Sequence, residues 1–377
     1  MSEYQYYEFL AIDRPLTRAE QEELRSLSTR ARITATSFIN DYQWGNFRGD
    51  PRRMVEQYYD AHLYVTNWGT HQVILRLPKG QLTQRAVEPY CFDECFEAWT
   101  TETHLILDLR SEDESGDWNE GAEDSLGAIA GVRAELLSGD HRALYLAWLS
   151  GIGAWALQDD DEEAYQDEVE PPVPVGLDRL TAPQRALADF LRVDADLLAV
   201  AAQASPPAPA SRKRPGKKEL APLIAALPEK EKNDLLLRLA LGDEPQLGTE
   251  LVRRLRGELP VATVPGQRTA AELLDAAHAL ATERRQRAER IRVEARAKKL
   301  TALAADEEAI WHEVENHVAR KQTARYDTAV ALLVELRDAC DHTGRSLEFR
   351  QRLAALRDRY RHLPGLLRRL DDRALQG

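Results

Sequence analysis

The sequence predicts an α+β protein: an N-terminal, mainly antiparallel small sheet with helices, followed by an all-α C-terminal region with one long helix. Three observations carry this. Strand-like segments alternate with helical ones only before residue 204, together with six of the seven tryptophans and ten of the twelve tyrosines. The stretch Ala204 to Lys218 holds four prolines and five basic residues with nothing to bury, so it reads as an extended, solvated linker. Beyond it, Thr269 to Thr343 contains neither glycine nor proline, the two residues that most readily interrupt a helix.

Tyr4 to Ile12 reads as a strand. Thr17-Arg-Ala-Glu20 is a capping box that opens a helix to about Ser28, the hydroxyl and the carboxylate each satisfying the other's backbone N–H. Arg32 to Ile39 is strand-like, and Asp50-Pro51 starts a short helix to Tyr58, proline standing where a missing N–H costs nothing. The segment "AHLYVTNWGTHQVILRLPKG" is the clearest hairpin: Leu63 and Val65 alternate on one arm, Val73, Leu75 and Leu77 on the other, around Asn67 to Thr70 with Gly69 in the turn. His104 to Leu109 is a further strand. Leu126 to Leu157 becomes helical, broken at Ser138-Gly139-Asp140; Thr181-Ala-Pro-Gln184 caps a further helix through Leu191, and Asp194 to Gln203 makes another. Past the linker, helices fit Glu219 to Leu227, Glu229 to Leu241 and Gln246 to Arg256. A second capping box, Thr269-Ala-Ala-Glu272, opens a helix to about Arg320, roughly 75–80 Å at 1.5 Å per residue. Its seam of Leu273, Ala277, Leu280, Arg284, Ala288, Ile291 and Ala295 suits a helical hairpin or a weak coiled coil. Tyr326 to Cys340, Leu347 to Tyr360 and a basic terminal helix after Pro364-Gly365 complete the chain.

This divides the protein into an acidic α+β domain at 1–170, a short helical connector at 171–203, the linker at 204–218, and an all-α domain at 219–377 with its long helix at about 269–320. Pro171 to Pro174 marks a lesser joint after the acidic run Asp159 to Glu170. The net charge of −13 is unevenly spread: residues 1–203 carry 17 Lys/Arg against 37 Asp/Glu, and residues 204–377 carry 33 against 26. Such asymmetry fits a nucleic-acid arm, or two halves that attract each other. No apolar run approaches the roughly 18 residues of a membrane span. The N-terminus has no basic, apolar leader, and three cysteines do not make a disulfide scaffold. A cytoplasmic protein without membrane association is expected.

Four places carry candidate chemistry. In "NDYQWGNFRGDPRR" (Asn40 to Arg53), Trp44, Phe47, Arg48, Arg52 and Arg53 have the composition to stack on and neutralise a ligand; a plain turn with Trp44 at the core edge is the structural alternative. Trp68-Gly69 in the hairpin turn is a second such loop, and the two loops are candidates to face each other. Cys91 and Cys95, at C-x₃-C spacing with His104 downstream and His62 and His71 upstream, are candidate zinc ligands; buried free thiols are the alternative. Asp108, Glu112, Asp113 and Glu114 gather beyond an apolar strand, where metal-dependent nucleases hold carboxylates, or form a solvated acidic loop. Finally, Arg284, Arg285, Arg287, Arg290, Arg292, Arg296, Lys298 and Lys299 are eight positives against Glu289 and Glu294 on one helix. That suits a phosphate backbone, and without interleaved aromatics the binding is sequence-blind. No P-loop, G-x-G-x-x-G, G-x-S-x-G or H-E-x-x-H occurs, so no enzyme motif supports catalysis.

"YYEFLAIDRPLT", "WGNFRGDP" and "DAHLYVTNWGT" resemble the opening of an uncharacterised bacterial protein family, over most of the chain. The resemblance implies no activity, cofactor or ligand. The expected function is therefore a non-enzymatic interaction or adaptor protein. It would bind a protein partner, or a second copy, through Trp44, Phe47, Arg48 and Trp68 and a long helical surface. One alternative is a nucleic-acid-associated factor using Arg284, Arg285, Arg287, Arg292, Arg296 and Lys299. The other is a metal-dependent enzyme centred on Cys91, Cys95 and His104, or on Asp108.

Overall fold

The computed structural model describes residues 4–80, 82–113, 121–155, 168–207, 217–241, 251, 255 and 263–375. Seven strands form one antiparallel sheet: β1 (Gln5–Leu10), β2 (Arg32–Ile33), β3 (Ser37–Tyr42), β4 (Ala61–Thr66), β5 (His71–Pro78), β6 (Phe96–Thr100) and β7 (His104–Ser111), in the order β2-β3-β1-β4-β5-β7-β6. The α+β reading holds: an antiparallel sheet with helices, then an all-helical region.

Alternation decides which side chains share a face. Leu63, Val65, Val73, Leu75, Leu77, Leu105, Leu107 and Leu109 point to one side and are buried in the largest core. That side is covered by α3 (Gln84–Val87), α4 (Leu126–Ile129), α5 (Gly131–Leu137), α6 (Arg142–Trp155), α7 (Ala182–Phe190) and α8 (Ala195–Ala204). Phe9, Phe38, Ile74 and Ile106 point to the other side, where Leu24 of α1 (Arg18–Leu27) and Met54 and Val55 of α2 (Pro51–Gln57) cover them. Each such apolar side chain taken fully out of water contributes about 1.5–3 kcal/mol. With both faces covered, β5 is buried along almost its whole length.

The expected caps form. Thr17 and Glu20 close a capping box, as do Thr181 and Gln184, and Asp50 caps α2 ahead of Pro51. The strand expected over Arg32 to Ile39 is instead two strands, β2 and β3. The Thr34 hydroxyl accepts the backbone N–H groups of Thr36 and Ser37, a local bond that competes with the ladder and turns the chain. Strand β6 had no counterpart in the expected elements.

The chain forms two compact units, Met1–Ala281 and Thr282–Gly377. The linker expected at 204–218 lies largely outside the described residues, as does most of the helix expected at Gln246 to Arg256. In the first unit, Val173 and Pro174 form β8, paired with β9 (Thr263–Val264). Arg268 pairs with the buried Glu170 and donates to the Val200 carbonyl. Gly266 is packed so closely that a Cβ there would lie 1.9 Å from the Glu170 carbonyl oxygen. These contacts draw Ala270, Leu273, Leu274 and Ala277, at the start of the long helix, into the first unit's core. Helices α9 (Lys217–Ala226) and α10 (Glu229–Leu241) match the expected bounds closely.

The long helix is two helices, α11 (Ala270–Ala305) and α12 (Glu307–Ala319), broken at Asp306. After the break, Trp311, Val314 and Val318 bury against Ala329, Val330 and Leu333 of α13 (Thr323–His342). With α14 (Ser346–Arg359) and α15 (Pro364–Asp372) they make the second unit's own core.

A carboxylate shut off from water organises one end of the sheet. Asp60 Oδ2 accepts the backbone N–H groups of Ile12 (2.6 Å) and Asp13 (2.8 Å), while Oδ1 accepts Arg76 Nη2 at 2.8 Å. Arg133 of α5 lies 3.6 Å from the same oxygen and binds Asp13. Burial pushes the Asp60 carboxyl up, but Arg133, Arg76 and the Asp13 N–H outweigh it and hold it below its ordinary range. Asp60→Asn leaves two buried guanidinium groups short of charge. The expected loss is about 3–5 kcal/mol, read as a lower urea midpoint.

Burial also lowers two histidines, His62 to about 3 and His71 to about 4. Unfolded, each takes up its proton near pH 6.5. Between about pH 6.5 and 4 the unfolded chain therefore binds more protons, and stability falls with acidification by up to about 1.4 kcal/mol per pH unit for each histidine. Urea titrations at pH 7, 6 and 5 measure that slope; His62→Gln is expected to halve it.

Candidate functional site

At the opposite end of the sheet from Asp60, Gln5 of β1 stands in register with Tyr42 of β3 on one side and with Thr66 of β4 on the other. Trp44 lies two residues beyond Tyr42, and Trp68 two beyond Thr66. The two tryptophan loops thus leave the same end of the sheet, on strands about 10 Å apart. Trp44 is 74% exposed and Trp68 44%.

Both loops are pinned. Gln5 Nε2 donates to the Gly45 carbonyl and to Asn46 Oδ1, each at 3.1 Å. Asn67 Oδ1 accepts the Tyr4 N–H at 2.9 Å, and the Asn67 N–H donates to the Tyr4 carbonyl. From the helical side, Arg192 Nη1 donates to the Gly69 carbonyl at 2.8 Å, and the Asp113 N–H donates to the same oxygen. Arg192 holds a left-handed backbone, φ +57°, a conformation that costs an ordinary residue about 1–2 kcal/mol.

Phe47 does not share the exposed surface. Its ring is 5.1 Å from Tyr7 and 5.7 Å from Phe38, and it packs against the core of the second face. Arg48 is exposed. Arg52 turns to the sheet, where it binds Glu97 and the buried Asp108 (2.8 Å) and stacks 4.8 Å above Trp99. Of the five loop residues, Trp44 and Arg48 face solvent, Phe47 and Arg52 anchor the loop, and Arg53 pairs with Asp50 beside it.

The candidate zinc ligands are not brought together. Cys95 precedes β6 at the rung Phe96–Leu109, whereas His104 begins β7 past the rung Thr100–Leu105. Opposite ends of the hairpin lie roughly 20 Å apart at 3.3 Å per residue, while zinc holds its ligands within about 2.3 Å. Burial pushes the Cys95 thiol up to about 11 and raises that of Cys91 as well. His62 and His71 donate their Nδ1–H groups to the Glu8 and Phe190 carbonyls inside the core.

The acidic group beyond β7 also disperses. Burial raises the Asp108 carboxyl, which is held by Gln72 (2.6 Å) and Arg52. Glu112 accepts the Thr70 hydroxyl at 2.8 Å, Asp113 lies against the Gly69 turn, and Glu114 is outside the described residues. Among the described residues no three His, Cys, Asp or Glu side chains converge as a metal site.

The basic stretch lies on α11, where every residue from Thr282 to Arg296 is exposed. Its expected binding residues separate. Arg296 pairs with Asp338 (3.4 Å) and Lys299 with Glu335 (3.3 Å), both on α13, and Arg292 pairs with Glu289. The apolar seam is core only at Leu273 and Ala277; further on, Ile291 and Val293 are more than half exposed. No helix of the described residues is long and apolar enough to cross a membrane. Comparison of the chain with protein-family models, curated proteins and solved structures returns no match.

The asparagine of Asn67-Trp68-Gly69 is a turn signal readable from the sequence. Gln5 and Arg192 carry no such signal, because their partners lie 40 and 123 residues away. The two turn glycines are expected to differ sharply on substitution. At Gly45 (φ +82°) an added methyl group would meet nothing within 4 Å, so Gly45→Ala costs only the conformational term of about 1–2 kcal/mol. At Gly69 (φ +108°) a Cβ would lie 1.7 Å from the Asp113 carbonyl oxygen, so Gly69→Ala must also displace backbone. Melting temperatures of the two variants measure the difference, Gly69→Ala falling further.

Proposed function

We propose that this chain is a non-enzymatic interaction protein that captures a protein partner through the Trp44–Trp68 end of its sheet. The observation carrying this reading is that two exposed tryptophans leave the same end of the sheet in loops tied down by side chains outside them. Large aromatic side chains in pre-ordered turns lose little freedom on binding, and tryptophan is the residue most enriched where binding energy concentrates. Arg48 and the exposed Asp41 and Glu112 supply a charged rim. Phe47, expected as a contact residue, serves here as the loop's anchor. Three unpaired cysteines support a cytoplasmic setting.

The test is affinity purification of the tagged full chain from its native cells after nuclease treatment, beside a Trp44→Ala/Trp68→Ala double variant. A stoichiometric protein that co-purifies with the wild type and is lost from the folded double variant is expected. Equal recovery with both would refute this site. Recovery only of a second copy of the chain would make the surface a self-association face. Removing exposed side chains away from the core is expected to change stability by no more than about 0.5 kcal/mol, and circular dichroism checks that the variant is folded.

A further inference from the structure

Helix α11 poses a separate problem. Over Arg284 to Arg292 it carries five arginines in nine residues against one carboxylate, Glu289, and every one of those residues is exposed. Successive residues turn by about 100°, which places Arg284, Arg285 and Arg292 toward one side and Arg287 and Arg290 toward the other. The helix is therefore positive around its circumference. Arg285, Arg287 and Arg290 make no hydrogen bond or ion pair with any described residue, and Arg292 pairs only with Glu289 of its own helix.

A flat acidic protein face would engage one side of such a helix and leave the other cations unmatched. A groove walled by phosphates on both sides engages all of them. We infer that Arg284 to Arg292 is a binding element for duplex DNA, lying in the major groove and contacting the backbones on either side. The dimensions agree: an α-helix with its side chains is about 10–12 Å across, and the major groove of B-form DNA is about 12 Å wide. The exposed run from Thr282 to Arg296 is about 22 Å long, two thirds of a duplex turn. The deep, narrow major groove of A-form RNA does not admit a helix. Single strands are held largely by stacked aromatics, and this stretch has none. Arginine suits the task because its guanidinium stays charged and meets phosphate oxygens in pairs. Of the cations at the C-terminal end of the stretch, Arg296 and Lys299 are committed to Asp338 and Glu335, which leaves the element centred on residues 284–292.

The experiment is fluorescence anisotropy of the full chain with a labelled 24-base-pair duplex of random sequence, at 50 to 200 mM salt. Phosphate contacts from Arg285, Arg287 and Arg290 give a slope of about −2.7 in log affinity against log salt, a weakening of about 40-fold over that range. Arg285→Gln/Arg287→Gln/Arg290→Gln keeps good helix formers and is expected to bring the slope close to zero. Failure to bind at 50 mM, affinity that ignores salt, or an unchanged slope in the folded triple variant overturns the inference. So does equal affinity for single-stranded DNA or duplex RNA of the same length, which removes the groove. Polyglutamate competing as well as the duplex at equal charge would assign the helix to an acidic protein surface instead.

Discussion

A buried carboxylate between two arginines sets the frame of the first unit. Asp60 follows α2 and precedes β4, and its two oxygens take N–H groups from the end of β1 and the guanidinium of Arg76 on β5. Arg133 reaches in from the helical layer, binds Asp13, and donates to the Arg76 carbonyl. One network thus joins three strands to a helix more than 50 residues further on. A charge so placed tolerates burial only with its partners present, because desolvating an ion costs several kcal/mol that pairing and hydrogen bonds must offset. The register of β1 against β4, and hence the position of Gln5 beside Thr66 at the far end, follows from this anchor.

The second face of the sheet shows how polar side chains in that frame are satisfied by one another. Tyr7 and Tyr64 both donate to Gln5 Oε1, at 2.7 and 3.1 Å. Gln72 and Arg52 share Asp108, and the Trp99 indole donates to Glu56 at 2.7 Å. In the low dielectric of a sheet face, such groups are costly when unpaired and rigidifying when paired. Asp108 looks in the sequence like the first of a carboxylate cluster, yet its oxygens are engaged by the neighbours that hold α2 and the Trp44 loop in place.

Charge follows the two units. Residues 282–377 carry 21 Lys/Arg against 16 Asp/Glu, while the earlier residues are strongly acidic. The aromatic end of the sheet and the arginine-ringed helix therefore offer different chemistry: one presents apolar area with a charged rim, the other an electrostatic field that salt screens. Neither depends on residues of the other.

The sequence by itself determined the α+β class, the caps at Thr17, Asp50 and Thr181, the hairpin around Asn67-Trp68-Gly69, and the bounds of α9 and α10. These rest on interactions within about four residues, or on strict two-residue alternation, and both are written in consecutive letters. Tertiary structure alone decided that Phe47 turns inward while Trp44 stays out, and that Cys95 and His104 occupy opposite ends of a hairpin. It also decided that the long helix breaks at Asp306, where α12 packs on α13, and that Thr263 to Ala277 joins a core built mostly of residues before 204. In each case the deciding partner stands far away in the chain: Tyr7 for Phe47, β7 for the cysteine and histidine, Phe349 for Trp311, Glu170 for Arg268. Such contacts form only after the sheet and helices have brought distant segments together, so no local pattern of residues encodes them.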